Sequence, residues 1–306
     1  MSRTLVATVV PEKFSSTNAR ARRAVDRIAT AALWAAASTV VALLLVFVAY
    51  LFYKGAGAVS LHFLFGYPSA SNAGGGIGPE LYNSFYILGL TLIFTVPISV
   101  CAGMYLQEYA GPGRFRELVQ FSAESLATVP SIVMGLFGLL LFVQTFHWHF
   151  TALGGALTLT LLNLPAMMRV TQEALAGVPG TLREASMGLG ATKWQTVVRA
   201  ILPSAIGPLT TGVVLVSGRI FGETAALIYT AGASVSYGKS AYDINPFHTA
   251  ETLAVHLYST HREALVPDAD AIGNGSALVL LVAVLLFNIV ARVVGRQLTI
   301  RLTGKA

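Results

Sequence analysis

The sequence has few charged residues. Asp, Glu, Lys and Arg together make up 11% of its 306 residues, whereas soluble domains carry about 25%. Hydrophobic residues make up 55% of the chain. This balance excludes an ordinary soluble domain, and it predicts an integral membrane protein of the all-α class.

Cysteine and recognisable catalytic motifs are also scarce. Cys101 is the single cysteine, which excludes a disulfide framework. The sequence contains no nucleophile–base pair and no metal-ligand spacing. His147-Trp148-His149 is more typical of an interfacial aromatic anchor than of a metal site, because no cysteine or carboxylate stands near it in sequence. We therefore expect a non-catalytic chain with no cofactor or metal of its own.

The basic residues do not form a nucleic-acid footprint. The net charge is +6, from 20 Lys and Arg against 14 Asp and Glu, but no basic stripe with interleaved aromatics is present. The charges instead stand beside long apolar runs. Membrane lipid is therefore the expected surroundings, and nucleic acid is not an expected partner.

Six apolar runs are long enough, or nearly so, to cross a membrane. The hydrocarbon core is about 30 Å thick and needs roughly 20 residues of helix. The first run follows several arginines, but it is too long for a signal peptide and lacks a convincing cleavage site. We predict an N-terminal segment over 1–30 and a transmembrane domain over 31–306, with a core of about 78–297. The six runs are 31–53, 84–106, 125–146, 150–168, 204–232 and 277–295.

The positions of the basic residues predict the orientation of these helices. If the N-terminus is inside, sixteen of the 20 Lys and Arg residues fall on the inner side. Only Lys54, Lys239 and Arg262 fall on the outer side, and Arg219 lies within a run. Because positive residues accumulate in cytoplasmic segments, both termini are expected to be cytoplasmic.

A polar hairpin (residues 173–203) separates the fourth and fifth runs and is expected on the cytoplasmic side. Two capping boxes are visible in it, Thr181 with Glu184 and Thr192 with Gln195. Gly188 and Gly190 lie between the boxes, where a helix could end on a left-handed residue. Pro203 is expected to end the second helix. The pattern predicts a helix, a glycine turn and a second helix.

The fifth run contains two opposite charges. A charge at mid-bilayer costs roughly 2.5–3.5 kcal/mol on insertion scales. Arg219 and Glu223 are four residues apart, so a continuous helix would place them on one face. One interpretation is that this face lines a pathway in which Arg219 attracts an anion. The alternative is an ion pair that holds two helices together.

Two segments on the expected outer side have no strong functional signal. Gly74-Gly75-Gly76-Ile77-Gly78-Pro79 lacks a following Gly-Lys-Ser/Thr, so a turn is favoured over a phosphate-binding loop. The acidic segment 233–274 is predicted to hold a short surface helix over 249–258. Both could contact an extracytoplasmic binding protein or be solvated loops. Within the runs, three prolines are candidate bends: Pro97, Pro130 and Pro165.

The polar hairpin resembles the EAA loop of ABC-importer permeases. The resemblance rests on Glu184-Ala185-Ser186, then Gly190, then Leu202-Pro203. Ser186 replaces the second alanine of the pattern, and Ala200 replaces its isoleucine. The resemblance implies a type I (MetI-like) importer fold. It also implies that five residues couple the chain to a cytoplasmic ATPase: Glu184, Ala185, Gly190, Leu202 and Pro203.

A second motif resembles phosphate-specific permeases of the PstA type. Residues 218–227 read G-R-I-F-G-E-T-A-A-L, and 105–110 and 129–138 also agree with that family. Ala226 departs from the proline that is usual there. The resemblance implies that Arg219, Glu223 and Thr224 belong to the substrate pathway of an importer of inorganic phosphate.

The same resemblance implies an assembly in the bacterial cytoplasmic (inner) membrane. Its partners would be a PstC-like second permease subunit, a dimer of ATP-binding subunits that hold ATP and Mg, and an extracytoplasmic phosphate-binding protein. Three alternatives stay open: import of another oxyanion such as phosphonate, an ion-gradient-driven secondary anion transporter, and a stand-alone anion channel. An inverted repeat would favour the second, and the third would not need the polar hairpin.

Overall fold

The computed structural model describes residues 16–69, 72–234, 241–263 and 266–303. The chain divides into two units, residues 1–53 and 54–306. In the described ranges the regular structure is entirely helical, as the composition predicts. The α-helices are α1 (Ser16–Gly55), α2 (Leu61–Phe65), α3 (Gly78–Met104), α4 (Arg114–Ala127), α5 (Ser131–Gly138), α6 (Ala152–Ala176), α7 (Gly180–Gly188), α8 (Lys193–Thr196), α9 (Leu202–Ser204), α10 (Ile206–Phe221), α11 (Ala225–Ile228), α12 (Leu253–Glu263) and α13 (Ala269–Thr303).

Three short π-helical segments extend these helices. Tyr105–Tyr109 continues α3, Leu139–Thr145 continues α5, and Val197–Ile201 joins α8 to α9. Each contains backbone hydrogen bonds that span one residue more than in an α-helix. The first two segments therefore lengthen α3 and α5, and the third makes α8 and α9 continuous.

Each predicted apolar run corresponds to a candidate membrane span. Four helices are long and apolar enough to cross a membrane, and two further spans arise if each of two bent helix pairs counts as one. The chain is therefore a multi-pass membrane protein with four to six spans. The straight spans are Arg22–Gly55, Gly78–Tyr109, Ala152–Ala176 and Ala269–Arg301, and the bent pairs are Arg114–Ala127 with Ser131–Thr145 and Lys193–Ser204 with Ile206–Phe221.

The third predicted run is not one straight helix. α4 and the helix that starts at Ser131 meet at an angle of 100°, and Pro130 stands at the junction. Proline fixes its own φ and disfavours helical geometry at the residue before it, which explains the break there. Pro97 and Pro165, the other candidate bends, lie inside α3 and α6, which run through them without a break.

The core of the second unit is built around α6. Of the four straight spans α6 is the most buried, with 61% of its most apolar window inside the protein. Leu159, Met167 and Leu175 on this helix are fully buried. α3 packs along α6, and a Cβ on Gly103 would lie 2.7 Å from the Cβ of Thr171. Glycine therefore permits the close approach of these two helices.

The polar segment before α13 is packed more deeply than the sequence predicts. The expected surface helix over 249–258 is present as α12, shifted to Leu253–Glu263. Leu253 and Val255 are fully buried, and α12 contacts α3 and α13. The prediction of a surface helix is wrong because the first turn of α12 forms part of the core.

The glycine-rich segment before α3 forms a turn, as the sequence favours. Gly74 has a φ of +88°, and its N–H donates to the carboxylate of Asp268 at 2.9 Å. Gly76 donates to the carbonyl of Tyr67 at 2.8 Å. Two other predictions, on residues 1–15 and on Lys239, concern positions outside the described residues.

Candidate functional site

The first arm of the polar hairpin is α7, which ends in a Schellman motif. The N–H of Gly190 donates to the carbonyl of Met187 at 2.9 Å, and the N–H of Ala191 donates to that of Ser186 at 3.2 Å. These are the two bonds that define the motif, and they require a left-handed residue after the helix. Gly190 supplies it with a φ of +85°. The predicted glycine turn is therefore present, and Gly190 rather than Gly188 forms it.

Only one of the two predicted capping boxes is present. Thr192 accepts from the N–H of Gln195 at 3.3 Å, and the Gln195 side chain accepts from the N–H of Thr192 at 2.9 Å. The predicted box of Thr181 with Glu184 is wrong, because α7 begins at Gly180 after Pro179 and has no side-chain cap. Helix geometry that starts at Gly180 leaves Thr181 inside the first turn, where it cannot cap.

The second arm runs on past the position at which it was expected to end. Pro203 lies inside the last short helix, and the chain bends by 66° after Ser204. Pro203 has no N–H to donate, and the π-helical turn before it already uses a wider hydrogen-bond spacing. The proline is therefore accommodated in the helix, and the bend follows it at Ala205.

The two arms are tied to each other and to the end of α3. Across the hairpin, the hydroxyls of Ser186 and Thr196 lie 2.9 Å apart. Arg183 donates to the Glu108 carboxylate at 2.7 Å, with 22% and 8% of the two side chains exposed. On the other arm the ammonium of Lys193 lies 5.0 Å from the centre of the Tyr109 ring. The π-helical segment Tyr105–Tyr109 thus contacts both arms of the hairpin, through Glu108 and Tyr109.

Sequence reasoning did not find the ion pair between Arg183 and Glu108. The two residues are 75 positions apart in sequence. The motif around each residue gives no sign of the other. Arg183 also donates to the carbonyls of Val178 and Leu175, both at 2.7 Å. The guanidinium therefore satisfies carbonyls at the end of α6 and a carboxylate beyond α3.

The turn of the hairpin exposes large apolar side chains. Leu189 is 90% exposed, Trp194 is 59% exposed and Met187 is 48% exposed. Glu184 and Ala185, predicted to contact an ATPase, are exposed on the first arm. A group of exposed apolar side chains next to charged ones is typical of a protein interaction surface. We call Met187, Leu189 and Trp194 the apolar tip.

The structure separates the two charged residues of the fifth run. α10 ends at Phe221, and α11 begins at Ala225. Arg219 therefore lies in the last turn of α10, whereas Glu223 lies beyond its end. The prediction that they share a helix face is wrong, and within the described residues Arg219 forms no ion pair. A lock between Arg219 and Glu223 finds no support in this geometry.

Glu223 instead caps the next helix. Its Oε1 accepts from the N–H of Ala226 at 3.3 Å. A proline, which the family pattern has at position 226, could not donate this bond. Ala226 is buried, and a Cβ added to Gly135 would lie 2.8 Å from its Cα. The break after α10 is thus fixed by a local cap and by packing on α5.

The exposed guanidinium of Arg219 stands at the broken end of a membrane helix. The last turn of a helix carries a partial negative charge, which favours a cation there. Thr224 takes the first position before α11 and makes no side-chain cap. The three predicted pathway residues therefore lie around one helix break, with Arg219 before it and Glu223 and Thr224 in it.

Comparisons with known proteins agree with this architecture. The model of the family described as "Binding-protein-dependent transport system inner membrane component" matches residues 95–304. "Probable ABC transporter permease protein YqgI" of Bacillus subtilis is 41% identical over 291 residues, which cover 92% of this chain and 99% of that protein. "Phosphate transport system permease protein PstA" of Haemophilus influenzae is 39% identical over 178 residues, which cover 58% and 63% of the two chains.

A solved structure shares the fold. The chain superposes with a TM-score of 0.64 and 16% identity on a chain from a crystal structure of a bacterial alginate ABC transporter in complex with an alginate pentasaccharide-bound periplasmic protein. The match covers 90% of this chain and 97% of the other. With the family match over residues 95–304, these likenesses show that the chain belongs to the family of inner membrane components of binding-protein-dependent transport systems.

Proposed function

We propose that the chain is the membrane-spanning subunit of an ATP-driven importer of inorganic phosphate. It would lie in the bacterial cytoplasmic membrane with both termini inside and form the translocation pathway with a second, PstC-like permease subunit. A binding protein would deliver phosphate from outside. ATP and Mg would be bound by partner ATPase subunits, so the chain itself would not be an enzyme.

The observation that carries this proposal is the setting of Arg219. A guanidinium inside a span is costly when it faces lipid, and this one has no carboxylate partner within the described part of the chain. An anion that passes the broken end of α10 would supply the missing partner. Guanidinium binds phosphate through two parallel hydrogen bonds, which favours phosphate as the anion.

Two further observations support an ATP-driven importer over a secondary transporter. The apolar tip, whose Leu189 is 90% exposed, gives an ATPase a surface to contact. The relatives are named as an ABC transporter permease and a phosphate transport permease. The alginate transporter of similar fold is described with a periplasmic protein bound, which supports a binding-protein partner here.

The test is phosphate uptake by the complex in proteoliposomes. The chain is co-purified with its partner subunits, reconstituted with the binding protein, and supplied with radiolabelled phosphate. Uptake should require ATP and survive dissipation of ion gradients. Unlabelled phosphate should compete with it far better than methylphosphonate or sulfate. Uptake that follows an ion gradient without ATP would favour a secondary transporter. Stronger competition by methylphosphonate than by phosphate would indicate that phosphonate is the substrate.

Variants of Arg219 test the pathway role. Charge-assisted hydrogen bonds are worth about 1.5–3 kcal/mol, so Arg219→Met should reduce uptake about 10- to 100-fold per assembled complex. Arg219→Lys keeps the charge but not the fork and should retain part of the activity. Arg27→Met, at an exposed position in α1, removes the same charge elsewhere and should have little effect. Normal uptake by Arg219→Met at normal complex yield would overturn the pathway role.

A further inference from the structure

Three ionisable side chains meet where α12 packs on α3. Nδ1 of His256 lies 3.4 Å from Oε1 of Glu80 and 3.6 Å from Oε1 of Glu251. One ligand atom from each of the three lies within 4.8 Å of the other two. Glu80 is fully buried and Glu251 nearly so. This group, the Glu–Glu–His cluster, lies on different elements from Arg219 and the polar hairpin.

The carboxylate of Glu80 accepts no hydrogen bond from the described residues. Both of its oxygens are buried and unpaired, which is costly for a carboxylate because burial removes its water. The pair of unsatisfied oxygens therefore calls for a cationic partner within the cluster.

The spacing of the cluster fits a metal ion better than hydrogen bonds. N–H···O bonds have distances of about 2.7–3.2 Å, and both contacts of His256 Nδ1 are longer. Two ligands at about 2.1 Å from a tetrahedral zinc ion lie about 3.4 Å apart. The observed separations of 3.4 and 3.6 Å match that value.

Neighbouring groups contact Glu251 and His256 and orient them, as is usual for metal ligands. Glu251 accepts from the hydroxyl of Ser259 at 3.1 Å. The other ring nitrogen of His256, Nε2, lies 3.4 Å from the hydroxyl of Thr260. The backbone carbonyl of Glu251 accepts from Asn83 at 3.1 Å. These contacts orient the cluster before any ion binds.

A proton is the competing occupant. A proton brings one positive charge to a cluster that holds two carboxyl groups, Glu80 and Glu251. A divalent cation balances both, and the imidazole nitrogen favours a transition metal over calcium or magnesium.

We propose that Glu80, Glu251 and His256 bind one divalent transition-metal ion, with zinc as the representative, and that the ion clamps α12 to α3. The clamp would reinforce two contacts between the same elements, Asn83 to Glu251 and the Leu253 N–H to the hydroxyl of Ser84 at 2.8 Å.

Zinc content measures the site directly. The full-length chain, purified with its partner subunits, is stripped with EDTA, loaded with a small excess of Zn²⁺, desalted and analysed by mass spectrometry of the metal. His256→Gln and Glu80→Gln should each bind one zinc ion fewer per chain than the wild type. His248→Gln is the matched control, because His248 lies beside Asn83 but outside the cluster, and it should keep the full content.

A second measurement guards against misfolded variants. Zn²⁺ should raise the melting temperature of the stripped wild-type chain and of His248→Gln, but not that of His256→Gln. Co²⁺ loading should give the visible absorption of a low-coordinate site in the same two proteins only. Equal zinc content in wild type and His256→Gln, or no zinc bound by the wild type, would overturn the proposal. Phosphate uptake would be unaffected by that outcome, so the two proposals fail separately.

Discussion

Substitution of Gly190 tests whether the shape of the polar hairpin matters for coupling. The residue has a φ of +85°, and a Cβ built on it would have no atom within 4 Å. The cost of a side chain there is therefore backbone strain and not a clash. A left-handed conformation costs roughly 1–2 kcal/mol for an ordinary L-residue, and a β-branched residue is the least suited to it.

These values predict an order among the variants. Gly190→Asn should be nearly neutral, because asparagine tolerates the left-handed region. Gly190→Ala should destabilise the turn by about 1 kcal/mol, and Gly190→Val by about 2 kcal/mol or more. A change of 2 kcal/mol lowers the ratio of folded to open turn about 30-fold.

Gly188 provides a matched control two residues away. It lies in the last turn of α7, its φ is not positive, and a Cβ there would also meet nothing within 4 Å. Alanine is favoured over glycine inside a helix by about 0.5–1 kcal/mol, so Gly188→Ala should stabilise α7. The two positions differ in backbone conformation and hardly at all in surroundings.

The assays are hydrogen exchange at the turn and ATP-dependent uptake. In Gly190→Val the backbone amides of residues 190 and 191 should exchange faster with solvent. These two amides donate the Schellman hydrogen bonds, which the substitution weakens. ATPase co-purification and uptake should fall in the same order as the stabilities. If Gly190→Ala and Gly188→Ala had the same effect, or if uptake were normal while the turn was open, the shape of the hairpin would not be required for coupling to the ATPase.

Two further predictions concern the attachment and the orientation of the hairpin. Glu108→Gln or Arg183→Met should each lower the free energy of unfolding by about 2–4 kcal/mol, because each leaves a partly buried partner unpaired. The double variant should lose less than the sum in thermal unfolding assays, and strict additivity would rule out direct coupling. In a Cys101→Ala background, Leu189→Cys should react with an impermeant maleimide only in inside-out vesicles; labelling in intact cells would contradict the cytoplasmic placement.

The apolar runs predicted the positions of the candidate spans well, because hydropathy is a sum over about 20 residues and small errors cancel. The break in the third run falls at Pro130, one of the predicted bends, whereas the break after α10 was missed. The end of α10 at Phe221 is set by the Glu223 carboxylate, which captures the Ala226 N–H. A window average cannot detect that competition between a side chain and the helix.

The features of the candidate sites also differ in how far they could be predicted from local sequence. Gly190 and the Thr192–Gln195 box were predictable because each is encoded within four residues of sequence. The box of Thr181 with Glu184 failed because the helix starts at Gly180, after Pro179, two residues earlier than the box requires. The Glu–Glu–His cluster joins Glu80 to residues about 170 positions later, and only the packing of α12 on α3 brings them together. An ionisable residue at the edge of an apolar run was the one available signal.

The contacts of Arg183 have a mechanical consequence. One guanidinium joins the carbonyls of Leu175 and Val178 to the carboxylate of Glu108, so it links the first arm of the hairpin to the ends of α3 and α6. A force applied at the apolar tip would then act as a torque on both helices together. No such link is described at the 66° bend after Ser204, so we expect a movement of α10, with Arg219 at its far end, to occur at that bend.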